Sequence, residues 1–161
     1  RQTNLKADVV GNGLLTADAS LAMSNEEYNA TIDLSNINVN KLIALPEQIL
    51  LNGSIEANGK GFDIHDKKSE LYANVKLANS RYGKIDLSNI DAKMAIRGND
   101  VALNMNCENE QISTTFELEG EQSKKHVGGN LDIDLRHIDL YSMGLTEKPL
   151  VLGTQGVFAF N

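Results

Sequence analysis

The sequence predicts an all-β protein in which a curved antiparallel sheet forms an open hydrophobic groove, with one or two short helical turns. Three observations carry that reading. Apolar and polar residues alternate in run after run, the period-2 pattern of strands with one apolar face. The hexapeptide Ile32-Asp33-Leu34-Ser35-Asn36-Ile37 returns as Ile85-Asp86-Leu87-Ser88-Asn89-Ile90 and nearly returns as Ile133-Asp134-Leu135-Arg136-His137-Ile138. The starts lie 53 and 48 positions apart (85 − 32, 133 − 85), which leaves room for several strands in each unit. Finally, the alternation slips within each copy: Ile32 and Leu34 share a face, but Ile37 and Val39 resume one residue out of phase, as do Ile90 and Ala92, and Ile138 and Leu140. One apolar face survives such a slip only through a bulge or corner at the Ser-Asn or Arg-His pair, and a bulge bends the strand.

Taken in order, Leu5, Ala7 and Val9 alternate up to Gly11-Asn12-Gly13, a tight-turn signal, and Leu15, Ala17, Ala19, Leu21 and Met23 alternate after it, so a hairpin is expected. A turn at Ser24 to Glu27 leads to Tyr28, Ala30, Ile32 and Leu34. Asn40 to Leu45 has adjacent apolar residues and ends at Pro46, which reads as a single helical turn capped by Asn40. Ile49, Leu51, Ile55 and Ala57 form the next strand, with Gly53 a weak point or bend. A polar connection from Phe62 to Lys68 precedes Leu71, Ala73, Val75 and Leu77. Ala92, Met94 and Ile96 run to a turn at Gly98-Asn99-Asp100, and Val101, Leu103, Met105 and Cys107 return. After Glu108 to Gln111 come Ile112, Thr114, Phe116 and Leu118, then a charged loop from Gly120 to Lys125. Leu131, Ile133 and Leu135 follow, and Asp139 to Leu145 reads as a second helical turn before Pro149. With roughly ten strands, turns about every ten residues and a repeat, an open stacked sheet is favoured over a closed barrel or sandwich.

Composition narrows the function. Fifteen Lys and Arg against 22 Asp and Glu give a formal charge of −7, the opposite of the basic footprint that nucleic acid or an anionic membrane surface selects. Only 5% of residues are aromatic and none is Trp, so any enclosed surface is aliphatic. The single cysteine, Cys107, allows no internal disulfide. No apolar run approaches the ~20 residues of a membrane-spanning helix and no stretch reads as a signal peptide, though a segment excised from a longer chain would have lost either. Arg1 in place of an initiator Met, and the strand-like Val157 to Phe160 at the far end, read as one segment, 1–161, of a longer repeat protein, with units starting near 28, 81 and 128.

The runs 49–59, 131–140 and 32–42 resemble the periplasmic repeats of the AsmA and TamB family of Gram-negative bacteria. In that family a strand with small residues and glycine is followed by a Leu-Asp-Leu-x-x-Leu-Asp-Leu element and a helical turn ending in Pro. The similarity covers nearly the whole chain through a degenerate pattern. It implies a parent anchored in the inner membrane by an N-terminal helix, with a β-groove, or taco, spanning the periplasm in the manner of bridge-like lipid carriers. It implies phospholipid transport to the outer membrane. For the TamB branch, the translocation and assembly module, it also implies outer-membrane protein assembly with a barrel partner, through parts not contained in this chain.

The physical case for lipid stands beside the resemblance. An acyl chain needs a continuous aliphatic surface, worth about 0.8 kcal/mol per buried methylene, and no specific polar contacts. The expected lining is Leu15, Ala17, Leu21, Ile32, Leu34, Leu51, Ile55, Val75, Leu77, Ile85, Leu87, Met94, Ile96, Leu103, Met105, Phe116, Leu118, Ile133, Leu135 and Leu152, with small residues such as Ala19, Ala30, Ala57 and Ala73 leaving room between them. The competing reading is that the same residues pack a closed core.

Other chemistry is weak. Asp63, His65 and Asp66 lack a second ligand cluster, so they read as a solvated turn and no metal is expected. His126 and His137 sit among basic residues, and Cys107 lies on the apolar phase of its strand, where an inert thiol is expected. Gly11 and Gly13, Gly59 and Gly61, and Gly128 and Gly129 open no helix and read as turns and bends. No catalytic grouping emerges, so an enzyme is not expected, and neither is a cofactor. The alternative function is a structural or chaperone-like module whose strand edges pair with client strands, without lipid.

Overall fold

The fold is that of a computed structural model, which describes all residues except 1, 11, 12, 42, 64, 65, 124, 125 and 161, and the side chains of those described except residues 2, 4–10, 122, 123 and 126. Its strands are β1 (Gln2–Val10), β2 (Leu14–Ala22), β3 (Glu27–Asn38), β4 (Ile49–Lys60), β5 (Glu70–Leu77), β6 (Arg81–Tyr82), β7 (Ile85–Asp86), β8 (Ile90–Arg97), β9 (Asp100–Glu108), β10 (Ile112–Ser123), β11 (His126–Asp139) and β12 (Val151–Phe160). All belong to one antiparallel sheet. Ten run in the order β1-β2-β3-β4-β5-β8-β9-β10-β11-β12, and the short β6 and β7 pair off the path beside β4. Among the described residues β1 and β12 are both edges, so the sheet is open, as the repeat and turn spacing predict. The turn expected between β1 and β2 falls mainly on Gly11-Asn12, outside the described residues.

The slips in the hexapeptide are real bulges in the first and third copies. In β3 the register jumps between Leu34 and Ile37, and in β11 between Leu135 and Ile138, so the apolar phase is restored beyond the Ser-Asn and Arg-His pairs. At the first bulge Asn36 takes the left-handed conformation (φ 53), which Asn tolerates better than most residues, and its N–H donates to Asn52 Oδ1 at 2.7 Å. Gly53, opposite, has φ 147, and a side chain there would collide with the Lys76 carbonyl oxygen. Its role is close backbone approach, beyond the weak point read from sequence.

The second copy behaves differently. Ile85 and Asp86 form the arm of a small hairpin, Leu87 to Asn89 turn, and Ile90 opens β8. Ile85 and Leu87 therefore lie off the ten-strand path, a departure from the expected bent strand. The reason is in the partners. Gln111 supplies side-chain bonds where a neighbouring backbone would stand: Asp86 N–H donates to its Oε1 at 2.7 Å, and its Nε2 donates to the Lys84 carbonyl at 2.9 Å. Asn109 Nδ2 adds a bond to the Ser88 carbonyl at 3.0 Å.

Other local expectations are corrected in part. The single helical turn expected after β3 is there as a 3-10 turn, Val39–Lys41, but Asn40 lies inside it, and among the described residues its side chain makes no capping bond. Its side chain instead reaches forward, donating to the Glu47 carbonyl at 2.7 Å and accepting from Ile49 N–H at 2.7 Å, which closes the loop into β4. The second expected turn is met as consecutive hydrogen-bonded turns over residues 140–144: Met143 N–H donates to the Asp139 carbonyl at 3.3 Å, as in one turn of helix, and Asp139 Oδ1 accepts from the N–H groups of Tyr141 and Ser142. Most of the charged loop expected from Gly120 to Lys125 is strand instead: β10 runs to Ser123 and β11 starts at His126, so only Lys124-Lys125 remain between them, outside the described residues. Gly59 lies inside β4, and Gly128 and Gly129 lie inside β11. Gly129 faces Gly120 across the pair, where an added Cβ would lie 2.7 Å from the Gly120 Cα.

Candidate functional site

The register assembles the alternating residues into transverse rows. One row runs Ala17, Ile32, Ile55, Val75, Ala92, Met105, Phe116, Ile133 and Gly156 from β2 to β12. The next runs Ala19, Ala30, Ala57, Ala73, Met94, Leu103, Leu118, Leu131 and Phe158. On either side lie a row containing Leu15, Leu34, Leu77, Ile90, Cys107 and Leu135, and one containing Leu21, Tyr28, Leu71, Ile96 and Val101. At the bulge end Leu51 pairs with Ile37, and Leu152 with Ile138. Eighteen of the twenty residues expected to line a groove thus share one face, and Ile85 and Leu87 do not join these rows. With strands ~4.8 Å apart, the nine strands from β2 to β12 give this face a length of roughly 38 Å.

The opposite face is polar at matching positions: Thr16, Asp33, Ser54, Lys76, Asp91, Asn106, Thr115, Asp134 and Gln155 form one row. A shallow depression of about 640 Å³ at the sheet end away from the bulges is lined by Arg97, Asp100, Glu119, Glu121 and Asn130 around the small Ala95 and Ala102, with Val101 and Phe160 also at its edge. The apolar face, by contrast, is a broad surface, suited to a ligand recognised by hydrocarbon contact along its length.

Burial separates the open groove from a closed core. Along the two central rows the residues named are half-buried, apart from the exposed Phe158. The buried apolar side chains among the described residues are Ile37, Ile96, Cys107 and Met143, far fewer than a sandwich of this size requires. The accessible surface, 10608 Å² for 17.6 kDa, exceeds the roughly 7,900 Å² of a compact monomer of that mass. Among the described residues no second layer stacks over the central rows, and the tertiary contacts run between sheet neighbours.

The bulge end is better packed. Ile37, Ser80, Cys107, Ser113, Thr114 and Met143 are all buried there. The 140–145 turn reaches back to the β6–β7 hairpin, where Met143 and Leu145 meet Tyr82, Lys84 and Ile85 around a crevice of about 310 Å³. On the polar side Arg136, within the β11 bulge, donates to Glu108 at 2.8 Å, Ser113 Oγ at 2.7 Å and Asp134 at 3.2 Å. The Ser113 hydroxyl first, and then the Arg136 guanidinium, hold the Glu108 carboxyl below its ordinary range. This network fastens the bulge across three strands and sits on the far side from the apolar rows.

Cys107 is 3% exposed. Burial first, then the negative charges of Asp86 and Glu108, push its thiol up, so it stays protonated near neutral pH and is a poor nucleophile. A maleimide or disulfide reagent is expected to modify it slowly in the native chain and rapidly in denaturant, followed by mass shift. Equal rates would mean that the bulge end is open to solvent. Among the described residues no three His, Cys, Asp or Glu side chains converge on a metal site, and no helix is long and apolar enough to cross a membrane. His65 lies outside the described residues. The register, which sequence does not print, is what converts separate alternating runs into one surface. No family model, curated protein or solved structure matches the chain.

Proposed function

We propose that this chain is a segment of a periplasmic β-groove protein that shields lipid acyl chains during phospholipid transport to the outer membrane, outer-membrane protein assembly, or both. The observation supporting this reading is the apolar face: rows of aliphatic side chains continue from β2 to β12 without a charged residue, left half-buried and uncovered, while the reverse face is polar. A contiguous exposed apolar surface of this extent marks a binding site, because in water it is otherwise an aggregation hazard. Hydrocarbon gains about 0.8 kcal/mol per buried methylene without directional bonds, which matches a surface that carries few groups to donate or accept them. Assignment to the periplasm, and an inner-membrane anchor in the parent protein, rest on the sequence resemblance to AsmA and TamB repeats.

The test is direct. The purified chain, delipidated and mixed with a fluorescent acyl-chain probe, is expected to bind it saturably and to release it to competing phospholipid. Native mass spectrometry of material purified from Gram-negative cells is expected to find phospholipid adducts. A chain that binds neither probe nor phospholipid overturns the proposal.

A further inference from the structure

We infer that the free edge of β12 is an acceptor for one more antiparallel strand, of the kind β5 supplies to the corresponding edge of β4. Ile32 and Ile133 lie 101 positions apart (133 − 32), and the same offset relates Leu51 to Leu152 (152 − 51) and Gly59 to Phe160 (160 − 59). The pairing repeats with it: Ile37 faces Leu51 and Tyr28 faces Gly59 in one place, Ile138 faces Leu152 and Gly129 faces Phe160 in the other. The pair β3 and β4 and the pair β11 and β12 are therefore one unit folded twice. The far edge of β4 is occupied by β5, with Leu71, Ala73 and Val75 opposite Gly59, Ala57 and Ile55. The far edge of β12 has no strand beside it among the described residues.

The chemistry of β12 fits an acceptor. Natural sheets blunt their edges with Lys, Pro, other charges or bulges. Val151–Phe160 contains no charged residue and no Pro, whereas β1, at the opposite edge, carries Lys6 and Asp8 in sequence. β12 exposes apolar side chains on both faces: Val157 is 70% exposed on the polar side of the sheet and Phe158 54% on the apolar side. An added strand satisfies the unpaired main-chain groups and shields both. The 101-residue offset also sets its register, placing the Ala73 position opposite Phe158 and the Val75 position opposite Gly156, small against large in each pair. The occupant is an extended polypeptide with apolar residues at alternate positions, continuing the sheet on the same face. This inference stands on backbone pairing and does not depend on lipid.

The test titrates the whole chain with a labelled peptide of the β5 sequence, residues 70–77, followed by fluorescence anisotropy and amide hydrogen exchange. Saturable binding is expected, with slowed exchange at β12 amides, and loss of binding when the peptide carries Asn74→Pro, which removes a ladder donor. Val157→Lys in the chain is expected to weaken binding by placing a charge on the edge. Gln155→Lys, at a position already polar, gives the same reading should Val157→Lys disturb the strand. Equal binding of a scrambled peptide, or protection at β1 instead of β12, overturns the inference. So does self-association without peptide binding, which would give the edge to a second copy.

Discussion

Replacing Leu103 by Asp is expected to abolish binding of an acyl-chain probe while the sheet remains folded. Leu103 lies between Met94 and Leu118 in the second central row and is half-buried, with water reaching that face. A carboxylate there stays hydrated, so the variant loses mainly the partial burial of one Leu, about 1 kcal/mol, and its melting temperature falls by roughly 2–4 °C. Binding suffers much more, because hydrocarbon laid along the row would have to strip water from the charge. Asn104→Asp, one residue along and on the polar face, is the control and should leave binding unchanged. Circular dichroism and probe fluorescence read the two effects separately. Global unfolding of the Leu103 variant would show that the face is dry and closed, and would sink the groove reading.

The second large effect is expected at Ser80, which is 2% exposed. Its hydroxyl accepts from the Asn52 N–H at 2.8 Å and donates to the Asn52 carbonyl at 2.9 Å, standing in for a strand partner where β4 passes from β5 to β6. The Asn52 side chain then accepts from Asn36 N–H and donates to the Asn79 carbonyl, tying this junction to the β3 bulge. Ser80→Ala strands the Asn52 N–H, which costs about 1–3 kcal/mol. Denaturant titration should show that loss. Combined with Asn52→Ala the two losses should fall short of additivity, since both remove the same network. A Ser80→Ala curve overlaying the parent's would mean that solvent replaces the hydroxyl and that the junction is not closed.

The alternating runs around Ala17, Ile55, Met105 and Phe116 were legible as strands because side chains in an extended chain alternate faces whatever lies beside them. The bulges at Ser35-Asn36 and Arg136-His137 were legible for the same reason, as phase slips that one apolar face cannot tolerate. The capping role expected of Asn40 failed because a short amide finds whichever backbone groups the loop brings near, and here those are Glu47 and Ile49. Gly128 and Gly129 read as a turn from composition, yet both lie within β11, and Gly129 serves close strand approach against Gly120.

The hexapeptide marks the boundary between the two kinds of information. Identical letters at Ile32 to Ile37 and Ile85 to Ile90 place an Asn in the left-handed conformation both times, φ 53 at Asn36 and 56 at Asn89, because that preference belongs to the residue. Sequence alone therefore determined most of the long strands, their apolar phase and the sites where the phase turns over. Only the tertiary structure decided that the first copy continues as a long strand while the second breaks into a hairpin arm and a new strand. It also decided that the apolar phases meet in one uncovered face. Both outcomes depend on which backbone lies across the ladder, and that choice is made between residues far apart in the chain.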